Sequence, residues 1–400
     1  MAKKSNKSDE FNEFDDFLGT PSTDQAQVIQ DDFPDPQPAF RCAIIGVGQG
    51  GGNIAAQFYP SGYRRILAVN TATADLDAIT EEKIVKLALA KSGAGKNREF
   101  ARDLVKTKAS QIRSAIGVAC GDEYNKMIVC MSLGGGTGSG GGPEIVRMAQ
   151  ELIRQRGGDP NRDVIVIAVL PEPATDGPRQ CFNAMKAYGL IEQLDVPRLY
   201  VDNSQLRKTI KTTLGNHWPP LNNRIVGTFH KFNAFATRES IHSVCDGSDV
   251  DDVISRGRFI FSAFRVDNLD HKHTIGGIMG DRLENSLFAR VKLSTAKAAA
   301  CMMILNESTV ADRSVDDIAP AFEELNNMMM SNSTLHQGIY PVDLKPAKDG
   351  KLPPDLFCYV MLGGLDHPYD SLNPIFEKAK SYSQEYGTLS AFLSPETNDS

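Results

Sequence analysis

Two glycine-dense runs stand out among the residues able to do chemistry: Gly46-Val-Gly-Gln-Gly-Gly-Gly-Asn53 and Gly134-Gly-Gly-Thr-Gly-Ser-Gly140. Each follows a short apolar run and precedes a stretch with helical character. A junction of this kind leaves backbone N–H groups free at a helix start, where they and the helix dipole favour an anion. Absent side chains let phosphate oxygens reach the backbone, and glycine tolerates positive φ. Thr137 and Ser139 add hydroxyl donors. The third feature is a pair of carboxylates, Asp249 and Asp252, in Asp249-Val-Asp-Asp252. Alone they read as a solvated acidic turn capping a helix; beside a phosphate site they are candidates to orient an attacking water.

Gly46, Gly48 and Gly51 also satisfy G-x-G-x-x-G, the dinucleotide fingerprint. That fingerprint needs an acid at the end of the second strand to bind the ribose, and Asn70 stands there. The second glycine run has no place in it either, so an NAD-dependent oxidoreductase is disfavoured. No Walker loop occurs. Seven cysteines are scattered without a CxxC pair, which suggests neither a zinc site nor a disulfide framework and fits a reducing cytoplasm. His271 and His273 pair without a third ligand nearby, so no metal set is expected. With 43 basic and 50 acidic residues, the chain is a poor candidate for coating nucleic acid. The longest apolar run, Ala298 to Leu305, falls far short of the roughly 20 residues a membrane span needs. Lys3 and Lys4 precede no apolar stretch, so no secretory signal is expected.

The elements that must position these residues follow from apolar periodicity. Cys42–Gly46, Ile66–Asn70, Met127–Met131, Val164–Leu170 and Arg198–Val201 are continuous apolar runs, separated by helical stretches at Ile54–Phe58, Glu99–Ile116, Pro143–Arg156 and Gln180–Gln193. Runs of that kind belong to strands buried on both faces of a parallel sheet, predicting a doubly wound α/β domain. The expected order is a tail (1–39), the α/β domain (40–205), a linker and central helix (206–248), a smaller α+β domain (249–365), and a C-terminal helix and tail (366–400). In the second domain, strands are expected at Arg258–Phe264, Ala298–Leu305, Gly338–Val342 and Leu356–Met361, with a helix at Val315–Met330. A helix is also expected at Asn373–Tyr386. In the first tail, Phe11, Phe14, Phe17 and Leu18 recur among Glu13, Asp15 and Asp16, which reads either as a solvated tail with stray aromatics or as an acidic docking peptide that folds on a partner.

The run Gly134–Gly140, GGGTGSG, is similar to the signature of the tubulin/FtsZ superfamily of polymerising GTPases. The resemblance runs in order from 41 to 365 and implies binding of GTP or GDP with Mg²⁺. Gly48, Gln49, Gly50, Gly51 and Asn53 resemble its first phosphate loop, with Asn53 as a guanine reader. Asn70 and Thr71 resemble the second loop, although Ala72 replaces a frequent Asp. Gly93, Ala94 and Gly95 resemble the γ-phosphate loop, followed by an unusual Lys96. Gly134, Gly135, Gly136, Thr137 and Gly138 are the signature itself. Pro173, Asp176 and Arg179 resemble the ribose loop, and Asn203 an asparagine after the next strand. Phe229 and Asn233 resemble the aromatic and amide that meet guanine, and Asp249 and Asp252 the catalytic acids. Ser390-Ala-Phe-Leu393 faintly echoes the FtsZ tail peptide, without its basic residues. The departures suggest a divergent bacterial, plasmid or phage relative.

If Arg224–Val244 is one helix, it spans about 30 Å. The acids beyond it then cannot reach their own subunit's nucleotide. Head-to-tail stacking would bring them to the next subunit's pocket and generate an open filament. The expected protein is a cytoplasmic, assembly-dependent GTPase whose filament positions DNA, a plasmid or a phage, or divides a cell. The rival is a non-polymerising GTP-binding regulator that acts through its acidic tail.

Overall fold

The computed structural model describes residues 38–205, 218–266, 269, 275–343 and 354–383. The docking stretch Phe11–Leu18, the pair His271 and His273, and Ser390–Leu393 lie outside these residues. The chain divides into two compact units, Phe40–Leu206 with Leu287–Val291 and His367–Ser400, and Arg207–Ser286 with Lys292–Asp366 and the N-terminal segment.

The first unit is a six-stranded parallel sheet. In chain order its elements are β1 (Cys42–Val47), α1 (Gly48–Gln57), β2 (Ile66–Asn70), α2 (Thr73–Asp77), β3 (Val85–Ala88), α3 (Arg98–Thr107), α4 (Ala109–Cys120), β4 (Lys126–Ser132), α5 (Gly136–Gln155), β5 (Val164–Leu170), α6 (Pro178–Glu192) and β6 (Arg198–Asp202). The strand order is β3-β2-β1-β4-β5-β6. Strands β1, β2 and β5 are buried along their whole length, as their unbroken apolar runs require. The order reverses between β1 and β4, the crevice where doubly wound sheets bind ligands. Both glycine runs follow those two strands. The helix expected over 99–116 is instead two, parted at Lys108. The Thr107 hydroxyl donates to the Asp103 carbonyl, a back-bond that bends a helix. The C-terminal helix, Tyr369–Lys380, belongs to this unit, and its Lys378 Nζ donates to the Pro173 carbonyl at 2.6 Å.

The second unit holds α7 (Trp218–Phe235), α8 (Gly247–Ser255), β7 (Phe259–Val266), α9 (Ile275–Glu284), β8 (Ala298–Asn306), α10 (Glu307–Asp312), α11 (Ala319–Met328), β9 (Thr334–Val342) and β10 (Leu356–Gly363). Its sheet runs β7-β10-β8-β9, with β8 and β9 parallel and the other pairings antiparallel. Phe232 of α7 packs against Phe261 and Tyr359, and Phe235 against Tyr340. The central helix does not reach Val244; it ends at Phe235. The following chain runs beside the sheet edge, where Ile241 N donates to the Ile339 carbonyl at 2.9 Å and Ser240 Oγ to the same oxygen at 2.8 Å. Free backbone groups of an edge strand thus take residues expected to continue α7. The helix expected over 315–330 likewise becomes a 3₁₀ turn at Val315–Asp317 and then α11, because Pro320 fits only a first helical turn. All seven cysteines are buried free thiols, and burial pushes Cys42 and Cys120 up to about 12.

Candidate functional site: two joined helix starts

Helices α1 and α5 begin with free donors. Their N-cap positions are Val47 and Gly135, neither offers a capping side chain, and neither helix has an acid in its first turn. By contrast, α3 is capped by Asn97 and α8 by Asp246. The first N–H groups of α1 and α5 therefore stay available for an anion. The two starts adjoin. A methyl group placed on Gly48 would lie 3.2 Å from Gly138 N and 3.4 Å from Thr137 Cβ. Gly48 has φ 73°, a left-handed conformation that lets the chain enter α1 directly from β1. Not every glycine of the runs faces a ligand. Gly138 and Gly140 have no room for a side chain because the carbonyls of Ser132 and Arg98 press on them, so they are packing glycines. Around Gly135 the space is open.

The second and third loops are tied to this junction by a single-file set of hydrogen bonds. Ala94 N donates to Thr71 Oγ1 at 3.0 Å; Thr71 and Thr137 hydroxyls share a bond of 2.8 Å; Thr137 Oγ1 donates to Asn70 Oδ1 at 3.2 Å. Thr137 has one hydrogen and gives it to Asn70, so Thr71 is the donor between the hydroxyls. Asn70 Nδ2 ends the series on Asp75 Oδ2 at 2.9 Å. Thr137 and Ser139, expected as hydroxyl donors, thus direct their hydrogens inward, Ser139 to the Gly135 carbonyl. Asn70, Thr71 and Thr137 act as struts that fix the loop backbones.

The 93–97 loop lies against the start of α5: a Cβ on Gly136 would come within 2.8 Å of Ala94 Cβ and 3.1 Å of Asn97 N. Lys96, at φ 62°, puts Nζ 2.9 Å from Gln180 Oε1 on α6. Gln180 Nε2 in turn donates to Asp176 Oδ1, and Asp176 Oδ2 accepts from Glu172 N. Asn183 Nδ2 donates to the carbonyls of Lys96 and Gly134, at 2.9 and 3.4 Å. Gly48–Gly51, Asn70–Thr71, Gly93–Lys96, Gly134–Gly138 and Pro173–Asp176 are therefore all placed by one unit, around one junction. Asn53 is exposed on α1, and Arg179 is half-buried on α6. Asn203 Oδ1 is buried without a partner among the described residues. The sequence reading missed Arg98, whose guanidinium is buried, with Nη1 bonded to Glu99 and with Nε and Nη2 unpartnered among the described residues. Its position directly after the 93–97 loop was the available signal.

Phe229 and Asn233, on α7 of the second unit, are buried. The acid turn is also there. Asp246 caps α8, accepting from Ser248 N and Asp249 N, and its own N–H donates to Asp249 Oδ2 at 3.0 Å. Asp249 Oδ1 lies 2.8 Å from His336 Nδ1. Asp252 accepts from Arg256 Nε and Nη2 at 3.2 and 2.9 Å and faces His336 Nε2 at 3.3 Å. Burial raises the Asp252 carboxyl, but the Arg256 and His336 hydrogen bonds outweigh it and hold it below its ordinary value. The Ser248 hydroxyl does the same for Asp246. Asp246 and Asp249 repeat the D-x-x-D spacing of Asp249 and Asp252, an overlap visible in the sequence and missed there.

Residues 41–211 match the family model described as the Tubulin/FtsZ family, GTPase domain. The chain is 25% identical over 261 residues to tubulin-like protein CetZ1 of Haloferax volcanii, covering 61% of this chain and 64% of that protein. It is 28% identical over 174 residues to cell division protein FtsZ of Porphyromonas gingivalis, covering 41% of this chain and 34% of that one. The chain thus spans less than two thirds of the length of either relative. The fold is shared with the crystal structure of a GTPγS-form protofilament of TubZ from Bacillus thuringiensis serovar israelensis, at a TM-score of 0.72 and 19% identity, covering 87% of this chain and 94% of that chain. No helix among the described residues is long and apolar enough to cross a membrane.

Proposed function

We propose that the chain is a member of the tubulin/FtsZ superfamily that binds and hydrolyses GTP and stacks head to tail into a filament. The observation that carries this reading is the meeting of two uncapped helix starts at the reversal of strand order. In this reading, amides of Gly48–Gly51 and Gly134–Gly138 bind the phosphates. The loop Gly93–Lys96 covers the terminal one, with Lys96 supplying a positive charge. Pro173, Asp176 and Arg179 hold the ribose. Asn53 and Asn203 of the same unit meet the base, and the Asn203 acceptor suits an N–H of the guanine edge. Mg²⁺ would accompany the triphosphate and offset its charge. Among the described residues no group of three or more His, Cys, Asp or Glu side chains is arranged to hold an ion, so phosphate oxygens and waters would supply most of its shell.

Hydrolysis on this reading is shared. The phosphate loops lie in the first unit, and Asp249 and Asp252 lie in the second. A neighbouring copy would present its acid turn to the phosphate, orienting the water, while backbone amides stabilise the charge that develops. The TubZ relative was solved as a protofilament, which supports self-assembly here. Competition binding tests the base: GTP should displace labelled GTP and ATP should not, because a pocket built on hydrogen bonds leaves its polar groups unpaired with the wrong base. Equal displacement by both nucleotides would sink guanine selectivity. Sedimentation that GTP does not change would sink assembly.

A further inference from the structure

His336 has no role in the reading above, yet it touches both proposed acids. It sits on β9, the edge strand of the second sheet, with Nδ1 2.8 Å from Asp249 Oδ1 and Nε2 3.3 Å from Asp252 Oδ2. The Nε2–Asp252 contact is a hydrogen bond and Nδ1 lies at ion-pair distance from Asp249, so one ring bridges both carboxylates. The rest of the turn is fixed with equal care. Asp249 Oδ2 is held by Asp246 N, and Asp252 is gripped by the Arg256 fork. Four residues along the same strand face, Tyr340 Oη donates to the Cys245 carbonyl at 2.9 Å, immediately before the cap of α8. Two side chains of one strand therefore hold the acid turn, one by its backbone and one by its carboxylates.

We propose that His336 is the positioning residue of the acid turn: it locks the Asp249 and Asp252 carboxylates in one relative orientation and, together with Arg256, offsets their charge. Two bare carboxylates pressed against a triphosphate would be repelled. With the Arg256 guanidinium and a ring N–H behind them, part of that charge is offset, and they keep oxygen lone pairs for a water. This inference rests on the shared-site reading, and the test separates the two.

The experiment mixes defective copies and measures GTP hydrolysis. Asp249→Ala copies bind GTP but present a broken acid turn, and Gly136→Val copies present the turn but cannot bind GTP. Mixed, they should recover activity. His336→Ala is then placed in one partner at a time. In the Gly136→Val copy, the donor of the acid turn, it should lower the recovered rate about 10-fold or more, the scale of a misplaced catalytic group. In the Asp249→Ala copy it should change nothing, because that copy contributes only its nucleotide pocket. A purely structural role would harm both placements alike, so a symmetrical loss overturns the proposal. Equal recovery with and without His336 in the donor also overturns it, and leaves the shared site standing. Failure of the first mixture overturns the shared site and the proposal together. If alanine lowers the melting temperature, His336→Gln enters the same design with the same expected asymmetry.

Discussion

At the scale of the residue, the glycines of the two runs divide by what surrounds them. Gly136 is closed in by Ala94, Lys96 and Asn97, whereas a methyl group on Gly135 would meet nothing within 4 Å. Gly136→Val therefore pushes the 93–97 loop off the start of α5, at a cost of about 1–3 kcal/mol for overpacking. It should leave a folded protein that no longer binds GTP. Gly135→Ala asks a sharper question. Its methyl group costs the protein no contact, so a loss of GTP affinity in calorimetry would mean that the open space belongs to the ligand. Unchanged affinity in both variants would move the phosphate site elsewhere. These glycines were legible in the sequence because a strand, a glycine run and a helix in succession have few other uses. The inward direction of the Thr137 and Ser139 hydroxyls was not, since a hydroxyl's partner is chosen by the folded loops around it.

Among the elements, the strands of the first sheet could be read directly: Val164-Ile-Val-Ile-Ala-Val-Leu170 has no polar face to offer solvent. Strand β3 escaped notice because Val85-Lys-Leu-Ala88 is only half-buried at the sheet edge. Helix α9 escaped because Gly276, Gly277 and Gly280 argue against a helix, and the reason for Gly276 is tertiary: a Cβ there would collide with Glu324 of α11. The end of α7 at Phe235 was hidden for a similar reason, since only the neighbouring edge of β9 reveals where Ser240 and Ile241 go. That edge also yields a prediction. The Tyr340 hydroxyl bonds the backbone of Cys245 on both sides, accepting from N at 3.3 Å and donating to O at 2.9 Å. Tyr340→Phe leaves a buried carbonyl short of its donor, so urea denaturation should show a loss of about 1–3 kcal/mol. GTP affinity, which the proposed function assigns to loops of the first unit, should be unaffected. A stability equal to wild type would show that Cys245 is held by the rest of its segment.

For the whole molecule, the question is why hydrolysis should wait for assembly. The phosphate loops and the acid turn belong to different compact units, and each is braced within its own unit. The bonds described for each lie within its own unit, so a substitution in one is expected to leave the other working. Asp252→Ala should accordingly bind GTP as wild type does. It should lose most of its hydrolysis, because the attacking water has lost an orienting group, a loss on the order of 100-fold or more for a general base. With the terminal phosphate kept, the contact it favours persists, and filaments should outlast those of wild type in a sedimentation time course after GTP is withdrawn. Asp246→Ala decides between the two overlapping acid pairs. If Asp249 and Asp252 do the chemistry, removal of the Asp246 cap should cost about 1 kcal/mol of stability and little activity. A variant lacking Asp246 that folds but cannot hydrolyse GTP, beside an active Asp252→Ala, would move the reaction one turn toward the start of α8, to Asp246 and Asp249.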